Sequence, residues 1–183
     1  MAPAIGRELA LPDNGSYRRY ADLGRPYVVW NVFSAPEFSV EPVKHCFPIA
    51  GCVAYRGFYA EADAQAEAVR ERAAGRDTYV GGVPAYSTLG QFADPLLSSF
   101  LDYAEADLAR LIFHELAHQL IYAKDDATFN ESFATVVERE GVRRWLAATG
   151  RADRLPAWQA GEARRRAMVA EVDRKSTRLN SSH

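Results

Sequence analysis

The first half of the chain alternates short apolar runs with turn residues, a pattern typical of short β-strands. Residues 27–33 and 52–59 are rich in β-branched and aromatic side chains and predict two strands. Residues 78–83 and 85–89 predict two more strand segments, which glycines and a proline interrupt. The stretch 79–89 could pair with an extended peptide or form an ordinary edge strand, and the pattern leaves both interpretations open.

From Asp94 onward the apolar residues recur at helical spacing. Asp94 followed by Pro95 is typical of an N-cap and a first helical position, so a short helix is predicted to run to about Leu101. Further helices are predicted over residues 62–74, 105–122, 127–148 and 159–173. Because strands come first and helices second, the order predicts an α+β fold, with a small mixed or antiparallel sheet followed by a helical half.

Composition shifts along the chain suggest its domain organisation. Residues 1–25 are rich in turn residues and predict an irregular lead-in. Residues 26–173 predict one domain, which we expect to be a fragment of a longer protein. Residues 174–183 are polar and aperiodic, and they resemble a read-through of sequencing-adaptor DNA. We therefore expect this tail to be non-native.

Composition and charge narrow the function classes. The 183 residues are 48% hydrophobic, which is enough for a core, and 22 basic side chains nearly balance 24 acidic ones. Since the basic residues form no stripe, we expect no nucleic-acid partner. No apolar run reaches the roughly 18 residues that span a bilayer, and the first residues show no secretion signal. Cys46 and Cys52 match no metal-site spacing, so either two buried thiols or a disulfide fits them.

Residues 111–120 contain the motif His-Glu-x-x-His. His114 and His118 are four residues apart, so on a helix both imidazoles lie on one face and can reach one ion. Glu115 projects beside them, where it can act as the general base toward a zinc-bound water. An apolar stripe on another face is predicted to anchor the helix: Leu108, Ile112, Leu116 and Leu120.

A catalytic zinc site usually has a third protein ligand. The extended motif with a third histidine is excluded, because Ile121 and Lys124 stand where it needs glycine and histidine. A carboxylate is therefore expected, and the candidates are Asp125, Asp126, Glu131, Glu138 and Glu140.

Helix geometry favours Glu131 among these carboxylates. If the two helices end and begin as predicted, His118 and Glu131 each lie about 6 Å from the turn, at the same height in an antiparallel pair. Asp125 and Asp126 then fall in the turn and are better interpreted as N-cap residues. Glu138 lies two turns beyond Glu131, where it either orients a histidine as its hydrogen-bond partner or is solvated.

The same residues resemble a gluzincin, in which a downstream Asn-Glu pair on a helix supplies the third zinc ligand. Here the block is Phe-Asn-Glu-Ser-Phe-Ala at residues 129–134, which makes Glu131 the ligand and places Asn130 beside it. The closer resemblance is to a predicted bacterial zinc aminopeptidase family, and it covers about residues 7–173. Further blocks that carry it are residues 11–20, 27–32, 46–52 and 85–90.

This resemblance implies a zincin-like metallopeptidase with one zinc ion and a peptide or protein substrate. Aminopeptidase activity is implied first, and the alternatives are an endopeptidase or amidase acting on envelope peptides, or a non-catalytic zinc-binding module. Family members resemble envelope-anchored bacterial proteins, so we expect the parent protein at the cell envelope, with a membrane anchor in a segment missing from this chain. That location favours the Cys46–Cys52 disulfide.

Two further roles in such an enzyme stay open. A hydrogen-bond donor must stabilise the oxyanion, and the candidates are Tyr122, Tyr86 and His45. An aminopeptidase also needs an acidic group for the α-amine of its substrate, and the candidates by residue type are Glu37, Glu41 and Asp94.

Overall fold

The computed structural model describes residues 2–39, 41–47, 51–85 and 87–180. Its α-helices are α1 Ala2–Glu8, α2 Glu61–Ala73, α3 Ser98–Leu101, α4 Glu105–Leu120, α5 Ala127–Ala148 and α6 Leu155–Asn180. Its strands are β1 Tyr20–Ala21, β2 Val29–Pro36, β3 His45–Phe47, β4 Gly51–Val53, β5 Arg56–Phe58, β6 Arg76–Val83 and β7 Leu96–Leu97. Small sheets and several helices make this an α+β fold, which confirms the predicted class.

The three-stranded sheet has the antiparallel order β5-β2-β6. Its central strand β2 carries Trp30 and Val32, two residues apart and both buried against α2. Helix α2 packs on this face of the sheet through Ala64 and Ala68, which have no exposed surface. Because alanine side chains are short, the helix can lie close to the sheet.

A two-stranded hairpin, β3–β4, lies against the turn between α4 and α5. It pairs Cys46 with Cys52, and these exposed residues form a disulfide. The backbone N–H of Cys52 donates to Asp125 Oδ1 over 2.8 Å. Asp125 has a left-handed conformation in that turn (φ 64°), so the hairpin and the turn hold each other in place.

Helices α4 and α5 form the helix pair on which the candidate site lies. Phe113 of α4 packs in one core cluster with Val142 and Leu146 of α5. Ile5 of α1 and Leu11 complete the buried part of this cluster. The prediction of an irregular lead-in over residues 1–25 is thus wrong in part, because α1 forms there and covers the helix pair.

The buried face of α4 is the predicted one only in part. Phe113 and Ala117 are buried, whereas Leu120 of the predicted stripe is 40% exposed. The reason is that α5 packs against the Phe113 side of α4. Leu116 of the stripe does pack against the core cluster, and together with Ile112 it also lines a small cavity next to residues 11–18.

Two strand predictions were wrong. Residues 52–59 do not form one strand, because a bend at residues 54–55 separates β4 from β5, and the two strands belong to different sheets. Where the structure describes residues 85–89 they form no strand, and the chain turns at Leu89 and Gly90, both of which have positive φ.

The helix predictions were closer. Helices α2 and α5 begin and end within one residue of the predicted bounds. Asp94 is not an N-cap, because β7 intervenes and Leu97 takes the cap position of α3. Helix α6 continues to Asn180, beyond the predicted end at residue 173. None of the helices in the described residues is both long enough and apolar enough to cross a membrane.

Candidate metal centre

Two helices supply the candidate ligands. His114 and His118 lie one turn apart in the last half of α4, and Glu131 lies in the second turn of α5. The helix periodicity places both imidazoles on one face of α4, and the short turn brings α5 back alongside that face.

Two side chains hold the turn between α4 and α5. The buried Asn130 amide accepts a hydrogen bond from the N–H of Ala123 and donates one to its carbonyl oxygen, each over 2.8 Å. Asp126 caps α5 by accepting from the N–H of Phe129 over 2.9 Å, as predicted. Asn130, predicted to lie beside the metal ligands, therefore acts on the turn that carries Glu131.

The three candidate ligands converge on one point. His114 Nε2 lies 3.1 Å from His118 Nε2 and 3.4 Å from Glu131 Oε2. His118 Nε2 lies 3.5 Å from Glu131 Oε1. A tetrahedral zinc ion with bonds of about 2.0–2.1 Å holds neighbouring ligand atoms roughly 3.3–3.4 Å apart. The cluster therefore has the spacing to bind one metal ion.

A buried carboxylate orients the first histidine. Glu138 Oε2 lies 2.9 Å from His114 Nδ1 and 3.3 Å from Arg110 Nη1, and the Glu138 side chain is only 4% exposed. When Nδ1–H donates to Glu138, the lone pair of Nε2 points toward the cluster. Of the two interpretations of Glu138, the partner of a histidine is the one that the structure supports. His118 Nδ1 is buried and has no such partner among the described residues.

When no metal is bound, the cluster holds one proton, on His114. Burial lowers the pKa of His114, but hydrogen bonds to Glu131 and Glu138 outweigh it and raise this pKa to about 9. The hydrogen bond from His114 lowers the pKa of Glu131. Burial, followed by the charge of His114, lowers the pKa of His118. A metal ion would therefore displace a proton from His114.

Glu115 lies beside the cluster and has a different electrostatic environment. Burial raises its pKa to about 7, and the charges of Glu131 and Asp94 add to this effect, while His114 opposes it. A carboxyl group with a pKa near neutrality can both accept and release a proton under physiological conditions.

Asp94, a predicted candidate for the α-amine of the substrate, lies near Glu115 in a layer of polar side chains whose other members the sequence reasoning missed. Gln119 donates to Asp94 Oδ2 over 3.2 Å and accepts from Asn14 Nδ2 over 2.9 Å. Asp94 is only 5% exposed, and its carboxylate also accepts from the N–H of Thr88 over 3.1 Å. Two distant segments of the chain are thereby tied to the helix that carries the histidines.

Tyr17 is a further residue near Glu115 that the sequence reasoning missed. Its N–H donates to the carbonyl oxygen of Asp94 over 2.6 Å, and its backbone is left-handed (φ 59°). Burial, followed by the charges of Glu115 and Asp94, raises the pKa of the phenol, so Tyr17 remains a hydrogen-bond donor. The available signal was that Tyr17 falls in a block of the family resemblance (residues 11–20).

Comparison of the sequence with profiles of known protein families identifies the family of this chain. A family profile described as "Putative aminopeptidase" matches residues 4–183. The chain belongs to this family. Searches of curated proteins and of solved structures found no significant match. Family membership supports peptide hydrolysis and a peptide substrate. The match extends over residues 174–183, whose assignment as a non-native tail stays a prediction.

In this member of the aminopeptidase family, the remaining candidates for the oxyanion donor and the α-amine ligand lie outside the histidine cluster or outside the described residues. Tyr122 follows the end of α4 and is 40% exposed, and His45 lies in β3. Tyr86 lies outside the described residues. Glu37 and Glu41 are exposed in the segment after β2.

The other carboxylates considered as third ligands have other partners. Asp125 binds the backbone of Cys52, and Asp126 caps α5. Glu140 forms ion pairs with Arg143 and Arg144. Among the predicted carboxylates, the structure brings Glu131 to the two histidines.

Proposed function

We propose that this chain is a zinc-dependent peptidase of the gluzincin type with a zincin-like fold, and that His114, His118 and Glu131 bind one zinc ion. The triangle of ligand atoms carries the proposal, because its edges of 3.1, 3.4 and 3.5 Å fit a tetrahedral ion. Glu131 is 65% exposed, so one side of the cluster faces solvent. Catalytic zinc sites need such an open position.

A bound zinc ion would supply the Lewis acid that polarises the scissile carbonyl and acidifies water. Glu115 takes the proton of the attacking water on its carboxylate and passes it to the leaving amine. Burial raises the pKa of this carboxyl group, which favours the return of the proton to the leaving amine after the water has been deprotonated. Glu138 keeps the His114 ring in the orientation that leaves Nε2 free for the metal.

Tyr17 is our candidate for the donor that stabilises the oxyanion. Burial, followed by the charges of Glu115 and Asp94, raises the pKa of the phenol and keeps it protonated. Tyr122 is a weaker candidate because it lies beyond the end of α4 and is partly solvent-exposed.

Family membership favours aminopeptidase action, and endopeptidase or amidase action on envelope peptides is the alternative. A non-catalytic zinc module is disfavoured, because a structural zinc ion prefers four protein ligands and has no use for Glu115. We also propose a cell-envelope location, which the exposed Cys46–Cys52 disulfide supports, since such bonds persist in oxidising compartments.

The test measures bound metal by elemental analysis after reconstitution with zinc. We expect about one zinc ion per chain, and a sharp loss in Glu131→Gln. Glu61→Gln is the matched control, because Glu61 is an exposed glutamate at the start of α2. No zinc binding by the unsubstituted chain would refute the metal centre.

Activity is then measured on peptides with a free and with an acetylated N-terminus. Cleavage of the free form alone would support the aminopeptidase, and cleavage of both would support the endopeptidase. Glu115→Gln should bind zinc normally and lose activity by at least about 100-fold, the low end of the contribution expected for general acid–base catalysis. A fully active Glu115→Gln would refute the assigned base.

A further inference from the structure

A groove lies along the α4–α5 pair, on the Glu138 side of His114. Arg110 lies one helical turn before His114 on the same face of α4, which is about 6 Å along the axis. Thr135 lies one turn after Glu131 on α5. Together with α6, these positions bound a groove of about 350 Å³.

The groove is lined by more positive than negative side chains. We call it the arginine groove and define it by Arg110, Glu138, Arg139, Glu162, Arg165 and Arg166. Four guanidinium groups thus face two carboxylates. The rest of the lining is largely small or apolar, so it offers no further charge.

Both carboxylates of the arginine groove already have partners. Glu138 binds His114 and Arg110. Glu162 is buried, and its Oε1 lies 2.9 Å from Arg165 Nη2, an ion pair without hydrogen-bond geometry. Within the described part of the chain, Arg139 and Arg166 have no acidic partner. The groove therefore keeps a positive charge that its own residues do not neutralise.

Two donors in the arginine groove are buried and lack acceptors. Arg110 Nε and Arg139 Nε are shielded from solvent and have no hydrogen-bond partner among the described residues. A buried donor without an acceptor costs free energy comparable to a lost hydrogen bond. A bound anion would satisfy such donors, and a guanidinium group pairs with a carboxylate through two parallel hydrogen bonds.

We propose that the arginine groove binds a carboxylate group of the peptide substrate, through Arg139 and Arg166. The inference rests on the proposed peptidase function for the class of ligand. Arg139 lies eight residues after Glu131 on α5, which is about 12 Å along the axis. One extended residue spans about 3.3–3.6 Å, so a carboxylate at Arg139 lies about three to four residues from the candidate metal ligands. It is supplied either by the C-terminus of a short peptide or by an acidic side chain near the scissile bond.

The test measures binding to chelator-treated protein, which separates the groove from catalysis. The probes are Ala-Ala-Ala, its C-terminal amide, and Ala-Ala-Glu-amide, titrated by calorimetry. We expect at least one of the carboxylate-bearing peptides to bind about tenfold more tightly than the neutral amide. This preference should shrink toward about 1 M salt, where the screening length is about 3 Å.

The variant that tests the residues is Arg139→Gln/Arg166→Gln, for which we expect the preference to fall below about twofold. The matched control is Arg72→Gln/Arg174→Gln, which removes the same charge from exposed positions on α2 and α6 and should retain the preference. If the double variant folds poorly, the same titrations are made with Arg166→Gln alone, which changes an exposed position and should also reduce the preference.

Equal affinity for the three peptides, or a preference that survives the double substitution, would overturn the proposal. A preference for Ala-Ala-Ala alone would identify the C-terminus as the source, and one for Ala-Ala-Glu-amide alone would identify an acidic side chain. Hydrolysis without any preference would leave the peptidase proposal intact. If the protein prefers the carboxylate-bearing peptides but hydrolyses no peptide, the peptidase proposal would be contradicted, whereas carboxylate binding by the arginine groove would still be supported.

Discussion

At Gly141 the backbone of α5 lies close to the Phe113 ring of α4. Replacing this glycine therefore tests the packing of the helix pair. Gly141 is buried in α5, and a Cβ atom added there would lie 2.5 Å from two ring atoms of Phe113 and 2.8 Å from a third. Carbon atoms in favourable contact lie about 3.5–4.0 Å apart. The Phe113 ring would therefore have to move by roughly 1 Å in a core where it is 3% exposed.

The expected cost of Gly141→Ala is the difference between two opposing terms. Overpacking of a core costs about 1–3 kcal/mol, and the higher helix propensity of alanine returns about 1 kcal/mol. Since the clash involves a buried ring, we expect a net loss of about 2 kcal/mol in the free energy of unfolding. For a chain of this length the melting temperature would fall by roughly 4–8 °C.

Gly161→Ala is the matched control in α6. A Cβ atom there would meet only the end of the Arg164 side chain, at 3.8 Å. The helix-propensity gain is then unopposed, and we expect a stabilisation of up to about 1 kcal/mol.

Both variants are measured by urea unfolding and by thermal melting followed by circular dichroism. Phe113 adjoins His114, and the contact between His114 and Glu131 crosses the helix pair. Zinc affinity should therefore fall in Gly141→Ala and stay unchanged in Gly161→Ala. If Gly141→Ala stabilised the chain as much as Gly161→Ala, the close contact between α4 and α5 would be refuted.

Three further predictions follow from the site and the hairpin. Because the metal-free His114 has a pKa of about 9, zinc binding must release its proton. The zinc affinity should therefore rise about tenfold per pH unit between roughly pH 7 and 9 and level off above pH 9. An affinity that stays constant with pH in calorimetric titrations would contradict this. Glu138→Gln should weaken zinc binding by about 10–100-fold in competition with a chelator, whereas an unchanged affinity would show that this carboxylate does not support His114. Replacing Cys46 and Cys52 by serine removes a cross-link over a separation of 6 residues, so urea unfolding should show a loss of about 2 kcal/mol; an unchanged midpoint would indicate that the disulfide adds no stability.

Local spacing was enough to predict much of the geometry of the candidate site. The i, i+4 spacing of His114 and His118 follows from helix periodicity, and the bounds of α4 and α5 follow from apolar spacing and the Asp126 cap. Because the two helices are joined by a short turn, the height of Glu131 opposite His118 could be worked out by counting residues. The same counting placed Glu138 two turns beyond Glu131.

Contacts between distant segments could not be predicted in this way. Nothing in the local pattern indicated that Asn14 would reach Gln119, from which it is separated by 105 residues. The position of Asp94, which reads locally as an N-cap, depends on β1 pairing with β7 and on its contact with Gln119. The apolar stripe of α4 was also misjudged in part, because its four members repeat at helical spacing without indicating which side α5 would cover.

The sequence alone therefore determined the residue types of the candidate centre: two imidazoles, a carboxylate and a neighbouring glutamate, at spacings that a helix and a short turn convert into distances. Only the tertiary structure decided what surrounds that centre. Burial of Glu115, the enclosure of its side of α4 by Tyr17 and Asp94, and the convergence of arginines from three helices all depend on packing between elements far apart in the chain. Such packing is settled by the shape and volume of the whole core, which no local pattern contains.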